Sequence, residues 1–173
     1  MDIKKIIRDI PDFPKPGILF HDVTTLFKNP LAFRYVIECF YDHYKDKGVN
    51  YVAGIEARGF ILGGALAQSL GCGFIPVRKP GKLPAKTISQ EYSLEYGTDK
   101  VEIHEDALNE GDKVIIVDDL VATGGTLVAG IRLVEKLKAE IIGVASIIDM
   151  PDLGGRKLLE EYNYFYLIEY SGH

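Results

Sequence analysis

Much of what could be written into a chain of 173 residues is missing here. Only two cysteines occur, Cys39 and Cys72. They form no CxxC pair, so neither a disulfide framework nor a zinc centre is indicated, and both read as small apolar residues of a reducing compartment. A secretory leader is not apparent, because Met1 to Ile10 alternates charge with isoleucine and has no continuous apolar region. The longest run without a polar side chain, Gly59 to Ala67, falls far short of the roughly 20 residues that span a bilayer. These absences predict a soluble cytoplasmic protein. Basic residues are outnumbered 25 to 20, and the net charge of −5 argues against a general nucleic-acid binder. Repeats and low-complexity segments are absent, and no Ser/His or Cys/His nucleophile pattern stands out.

What remains is a globular composition, 47% hydrophobic and 26% charged. A chain of this length buries about 70% of its surface on folding, enough for one core, so residues 1–173 are expected to form a single domain. A short helix is predicted over Asp2 to Arg8, followed by a stiff loop through Pro11, Pro14, Pro16 and Gly17. Asn29-Pro30 starts a helix, and Phe33, Val36, Ile37, Phe40, Tyr41 and Tyr44 lie on one face of it, with Gly48 as its end. Tyr51–Glu56, Phe74–Val77, Lys113–Val117, Ile141–Ile148 and Tyr164–Ile168 read as strands. Between them, Gly59–Leu70, closed by Gly71, and Thr126–Lys138, with Leu127, Ile131, Val134 and Leu137 inward, read as helices. A short helix is expected over Gly154–Glu161.

Strands apolar on both faces and alternating with amphipathic helices predict an α/β fold: a Rossmann-like, mostly parallel sheet flanked by helices. The exception is Lys86 to His104, whose alternation around Gly97 predicts a projecting antiparallel hairpin. In open α/β sheets, ligands bind at the carboxyl ends of the strands. The informative positions are therefore those just after Glu56, Val77 and Val117. His43 and His104 have no partner by spacing and are expected at the surface.

The most specific segment is Val114-Ile-Ile-Val-Asp-Asp-Leu-Val-Ala-Thr-Gly-Gly-Thr126. A buried strand leads into Asp118 and Asp119, and a glycine turn then opens a helix. Helix N-termini offer unpaired N–H groups and a partial positive charge. Gly124 and Gly125 permit close approach, and Thr123 and Thr126 add hydroxyls. This is a phosphate cradle. No lysine precedes Thr126, so it is not a Walker A loop, and it lacks the GxGxxG spacing. Carboxylates cannot hold phosphate, so Asp118 and Asp119 point to sugar hydroxyls or hydrated Mg²⁺. Phosphate and a vicinal diol together describe a ribose 5-phosphate.

This segment resembles the signature of the type I phosphoribosyltransferases, which use 5-phosphoribosyl 1-pyrophosphate (PRPP). Pro11-Asp-Phe-Pro-Lys-Pro-Gly-Ile-Leu-Phe-His-Asp22, Arg78-Lys-Pro-Gly-Lys-Leu-Pro84 and Tyr92-Ser-Leu-Glu-Tyr-Gly97 resemble the adenine-specific members of that family. The likeness runs in order from about Pro11 to Tyr170. It implies transfer of the phosphoribosyl group to adenine, giving AMP and pyrophosphate, with Mg²⁺ as cofactor and a homodimer as the assembly; neither nucleic acid nor membrane is an implied partner.

The resemblance also implies residue roles. Ala122, Thr123, Gly124, Gly125 and Thr126 hold the 5-phosphate, and Asp118 and Asp119 the ribose hydroxyls. Arg58 binds pyrophosphate, with Lys79 and Lys82 able to add charge, within one subunit or across a dimer interface. The family tends to have a strained peptide in the loop Glu56-Ala-Arg-Gly59, and Gly59 suits a close backbone approach. Residues 1–28 form a hood over the base: Phe20 stacks on the purine while backbone groups of Leu19 and His21 pair with its edge. Relatives often carry Arg where His21 stands, and the backbone contact survives that change. Residues 84–105 form a flexible lid bearing Tyr96 and Glu95, the latter as general acid–base at the purine N7. Two alternatives share the cradle: a transferase for another base (hypoxanthine, guanine, xanthine or orotate), and a PRPP-binding regulator without catalysis.

Overall fold

A computed structural model describes residues 1–94 and 96–172. Five strands form one parallel sheet in the order β4-β3-β7-β8-β9. They are β3 (Tyr51–Ile55), β4 (Gly73–Val77), β7 (Lys113–Val121), β8 (Glu140–Asp149) and β9 (Tyr164–Glu169). Helices α1 (Thr24–Lys28), α2 (Pro30–Tyr44) and α3 (Arg58–Leu70) accompany one face; α4 (Gly125–Lys136) packs on the other, and α5 (Gly155–Leu159) precedes β9. Two antiparallel hairpins are appended: β1 (Arg8–Ile10) with β2 (Phe20–Asp22), and β5 (Thr87–Ser93) with β6 (Thr98–His104). No helix among the described residues is long and apolar enough to cross a membrane.

The central strand shows why the core divides in two. Successive side chains of a strand point to opposite faces. Ile115 and Val117 join Phe40, Leu62 and Leu66 on the α2–α3 side, while Val114 and Ile116 join Leu127, Ile131 and Val134 on the α4 side. A strand buried on both faces must be apolar throughout, and the expected α/β layering follows. Local signals set the helix ends. The Asn29 side chain accepts from the N–H groups of Leu31 and Ala32, with Pro30 at the first position. Gly71, at φ 68°, closes α3.

Several expected boundaries move. The N-terminal helix over Asp2–Arg8 is a single 3₁₀ turn, Ile3–Lys5. A segment this short cannot sustain a helix by itself, and Arg8 instead enters β1, where its guanidinium pairs with Asp22 across the hairpin. α2 ends at Tyr44 rather than at Gly48. Strand β7 does not stop at Val117. Its ladder with β3 ends there, but pairing with β8 continues to Val121. His43 is half-buried and stacks on Phe165 at 4.0 Å, and half-buried His104 accepts the Ala85 N–H, so neither is a plain surface histidine.

The β5–β6 hairpin meets the sheet edge where Arg78 and Glu102 exchange backbone hydrogen bonds at 3.0 and 2.7 Å. It leans over α4: a Cβ added to Gly125 would lie 3.3 Å from the Tyr92 ring, and Lys136 donates to the Ser89 carbonyl. The hairpin therefore overhangs the glycine turn after β7.

Candidate active site

β7 carries paired aspartates past the point where β3 leaves it. Because β3 pairs only as far as Val117, Asp118 and Asp119 stand at a step in the sheet, beside the turn Glu56–Ala57 that leads into α3. The period of two then separates them. Asp119 shares the Ile115 and Val117 face and meets Arg58, the first residue of α3, through the guanidinium Nε. Asp118 shares the Val114 and Ile116 face and lines a cavity of about 130 Å³ bounded by Leu120 and by the whole turn from Val121 to Leu127. Sequence position alone puts the two carboxylates in one place; the strand aims them at different groups.

The cavity floor is the turn Ala122-Thr123-Gly124 and the first residues of α4. Gly124 sits at φ 79°, and no side chain caps the helix, so the amides of its first turn face the cavity without an internal acceptor. This is the geometry that receives a phosphate.

The electrostatics are arranged around these carboxylates. Burial raises the Asp118 pKa well above its ordinary 3.8, and the neighbouring Asp119 charge raises it further, against a smaller opposing pull from Arg58. Burial also works against the Arg58 charge, but the bond and charge of Asp119, with Asp118 and Asp22 behind it, hold the guanidinium above its usual value. Because the folded Asp118 carboxyl keeps its proton more tightly than the unfolded one, its contribution to stability falls as pH rises from the ordinary carboxylate value through the raised one. Asp118→Asn is expected to remove that slope. Thermal midpoints of the two proteins between pH 4 and 8 should diverge with rising pH, the variant being the more stable; parallel curves would contradict the raised value.

Glu56 organises the basic loop after β4. It accepts two bonds from Arg78 at 2.8 and 2.9 Å and one from the Lys79 N–H at 2.5 Å. Burial raises its pKa, but these donors outweigh burial and bring it below the ordinary value. The Lys79 ammonium turns to the hairpin, where it binds Tyr92 Oη at 2.6 Å and the Asp99 carboxylate. Lys82 is exposed. The Glu56–Ala57 peptide is cis. Gly59 has no space for a Cβ, which would lie 2.9 Å from the Val117 carbonyl; its close approach is to β7.

The hood residues divide by face. Leu19 and His21 line a cavity of about 570 Å³ together with Ile18, Met150, Leu153 and Tyr170. The Phe20 ring instead meets Phe13 edge-to-face, and the Arg58 guanidinium lies 5.6 Å from its centre. His21 is buried, with Nδ1 2.6 Å from Asp9 and its ring stacked on Tyr170. Tyr96 is 83% exposed at the hairpin tip. Glu95 lies outside the described residues. The role of Glu56 is not apparent in the sequence, because its partners Arg78 and Lys79 lie far from it along the chain.

An uncapped helix N-terminus and a carboxyl line one cavity, with an arginine at the neighbouring strand end, an arrangement with the chemistry to take an anion and hydroxyl groups together. Comparison with known proteins gives the chain its family. The family described as Phosphoribosyl transferase domain matches residues 22–171. Adenine phosphoribosyltransferases of Chlorobium chlorochromatii and Prosthecochloris aestuarii are 57% and 56% identical, each over 99% of this chain and 99% of the relative. The crystal structure of adenine phosphoribosyltransferase from Thermoanaerobacter pseudethanolicus superposes with a TM-score of 0.94 at 50% identity, covering 98% of both chains. That of Saccharomyces cerevisiae, complexed with an imino-altritol bisphosphate and adenine, gives 0.91 at 40%, covering 96% of this chain and 97% of that one. The chain belongs to the phosphoribosyltransferase family, in its adenine phosphoribosyltransferase branch.

Proposed function

We infer that this chain transfers the 5-phosphoribosyl group of PRPP to N9 of adenine, releasing AMP and pyrophosphate, the reaction of purine salvage. The observation that carries the reading is the open turn at the N-terminus of α4 beside Asp118, within a chain more than half identical to adenine phosphoribosyltransferases over nearly its whole length.

Residues 122–126 receive the 5-phosphate on backbone N–H groups and the Thr123 and Thr126 hydroxyls. Asp118 accepts from the ribose hydroxyls, and Asp119 holds the Arg58 fork toward the pyrophosphate side. The transition state has oxocarbenium character, as in other departures from an anomeric carbon. Negative charge builds on the leaving pyrophosphate, and Arg58 stabilises it there, with Lys79 and Lys82 near the same loop. Among the described residues no group of three His, Cys, Asp or Glu could hold a metal ion. Mg²⁺ fits this site as a companion of PRPP and water, supplying charge neutralisation on the pyrophosphate. The base lies under the hood, with Phe20 against its face and the backbone of Leu19 and His21 at its edge, where a carbonyl and an N–H complement the N6 donor and N1 acceptor of adenine. Glu95 exchanges a proton at N7. Residues 84–105 close over the cradle and keep water from the cation-like sugar. A homodimer belongs to the same reading; Leu31, Tyr41 and Ile61 leave apolar surface on α2 and α3 for a second copy to cover.

The test is pyrophosphate release with PRPP and Mg²⁺ against a panel of bases. Release with adenine alone is expected. Release with hypoxanthine, guanine or orotate instead would retain the cradle and reject the hood assignment. Release with none, while PRPP still binds, would describe a regulator.

A further inference from the structure

The phosphate turn is shaped by a segment some thirty residues further along the chain. Gly155, the first residue of α5, donates its N–H to the Ala122 carbonyl at 2.9 Å. Its Cα also lies against Gly124, where an added Cβ would stand 3.0 Å away. A Cβ on Gly155 itself would fall 2.4 Å from the Ala122 carbonyl oxygen and 2.8 Å from the Gly124 nitrogen. These are backbone atoms and cannot swing aside as the end of a side chain does. The two glycines are therefore fitted to each other, one inside the cradle and one outside it.

The next residue fixes where Gly155 lies. Arg156 donates Nε to Asp149 at 2.7 Å and a terminal nitrogen to Glu169 at 2.7 Å, and it lies over the Tyr166 ring. Asp149 ends β8 and has no exposed surface; its other oxygen accepts from Tyr164 Oη at 3.1 Å, and Tyr164 in turn pairs with Ser146 at 2.7 Å. A planar guanidinium between two carboxylates admits one orientation, which a flexible ammonium does not reproduce. The ends of β8 and β9 thus hold Arg156, Arg156 holds the start of α5, and Gly155 holds the carbonyl of Ala122.

We propose that Gly155 and Arg156 are positioning residues for the 5-phosphate: they touch no substrate, but they set the curvature of the turn so that its N–H groups converge. The proposal rests on the reading that residues 122–126 hold that phosphate. It sets these residues apart from Arg58 and the Lys79 loop, which face the pyrophosphate.

Calorimetric titration of the full chain with ribose 5-phosphate and, separately, with pyrophosphate and Mg²⁺ tests it. Gly155→Ala is expected to weaken ribose 5-phosphate by about tenfold or more, the loss of one or two charge-assisted hydrogen bonds, with pyrophosphate affinity kept. Arg156→Lys is expected to give a smaller loss of the same selectivity, and it decides the matter alone if Gly155→Ala does not fold. Steady-state kinetics should show a raised KM for PRPP with kcat less affected. Equal weakening of both ligands, or of neither, would overturn the proposal. Failure of the unmodified protein to bind ribose 5-phosphate would instead reject the reading of the cradle.

Discussion

Excess chelator is expected to abolish pyrophosphate release while leaving the thermal midpoint unchanged. The reason lies in how the cations of the site are already engaged. Arg58 is paired with Asp119, Arg78 with Glu56, and Lys79 with Asp99. These three cations each have a carboxylate partner, which leaves the exposed Lys82, so the pocket itself brings little net positive charge to a polyanionic substrate. A net charge of −5 supplies no wider field to help. On the proposed reading the neutralising cation comes with the substrate. Stability should not follow activity, because the described residues offer no cluster that would make a metal part of the fold. Turnover and melting would be measured in the same chelated sample, with activity restored by added Mg²⁺. Undiminished turnover would remove the metal from the mechanism. A large fall in the melting midpoint would point to a structural metal instead.

Replacing Arg58 by Ala should cost about 10²–10³ in turnover, the usual effect of losing one donor aimed at developing charge. It also has a structural consequence. Asp119 is almost fully buried, and Arg58 is the guanidinium it holds; beside it stands Asp118, whose carboxyl already resists ionisation. Without the guanidinium the buried Asp119 carboxylate is left without its ion pair, and the protein should lose about 1–3 kcal/mol. The lower end is the better expectation, since the Arg58 side chain is 43% exposed and water can enter in its place. Arg58→Lys should restore most of the stability and little of the rate, because an ammonium neutralises Asp119 but does not present a fork to pyrophosphate. The measurements are kcat and KM for PRPP alongside denaturant unfolding. A variant that unfolds at the usual midpoint and turns over normally would show that Arg58 neither pairs nor catalyses as described.

Some of this architecture can be read directly along the chain. Asn29-Pro30 begins α2, Gly71 ends α3, and the β-branched run before Asp118 is the central strand. Each is local: a cap, a left-handed residue or a side-chain period acts within a few residues, so sequence order carries it. The cradle is legible for the same reason, because strand, turn and helix start are contiguous between Val114 and Leu127. The N-terminal segment was not legible. Three isoleucines within Asp2–Arg8 have a helical spacing, yet the pairing of Arg8 with Asp22 draws the chain into a hairpin.

The layering of the fold, the place of the glycine turn after β7 and the family are all legible along the chain, since contiguous residues carry them. Which carboxylate faces which partner depends on how the strands and helices pack. Asp118 and Asp119 are neighbours in the chain, but an extended strand sends them to opposite faces, one to the cradle and one to Arg58. Packing likewise settles that Glu56 gathers Arg78 and Lys79, that Lys79 reaches the hairpin, and that Gly155 supports Ala122. Those contacts join residues 13 to 61 positions apart or are closed by backbone atoms, and neither spacing nor composition records which strand ends will meet.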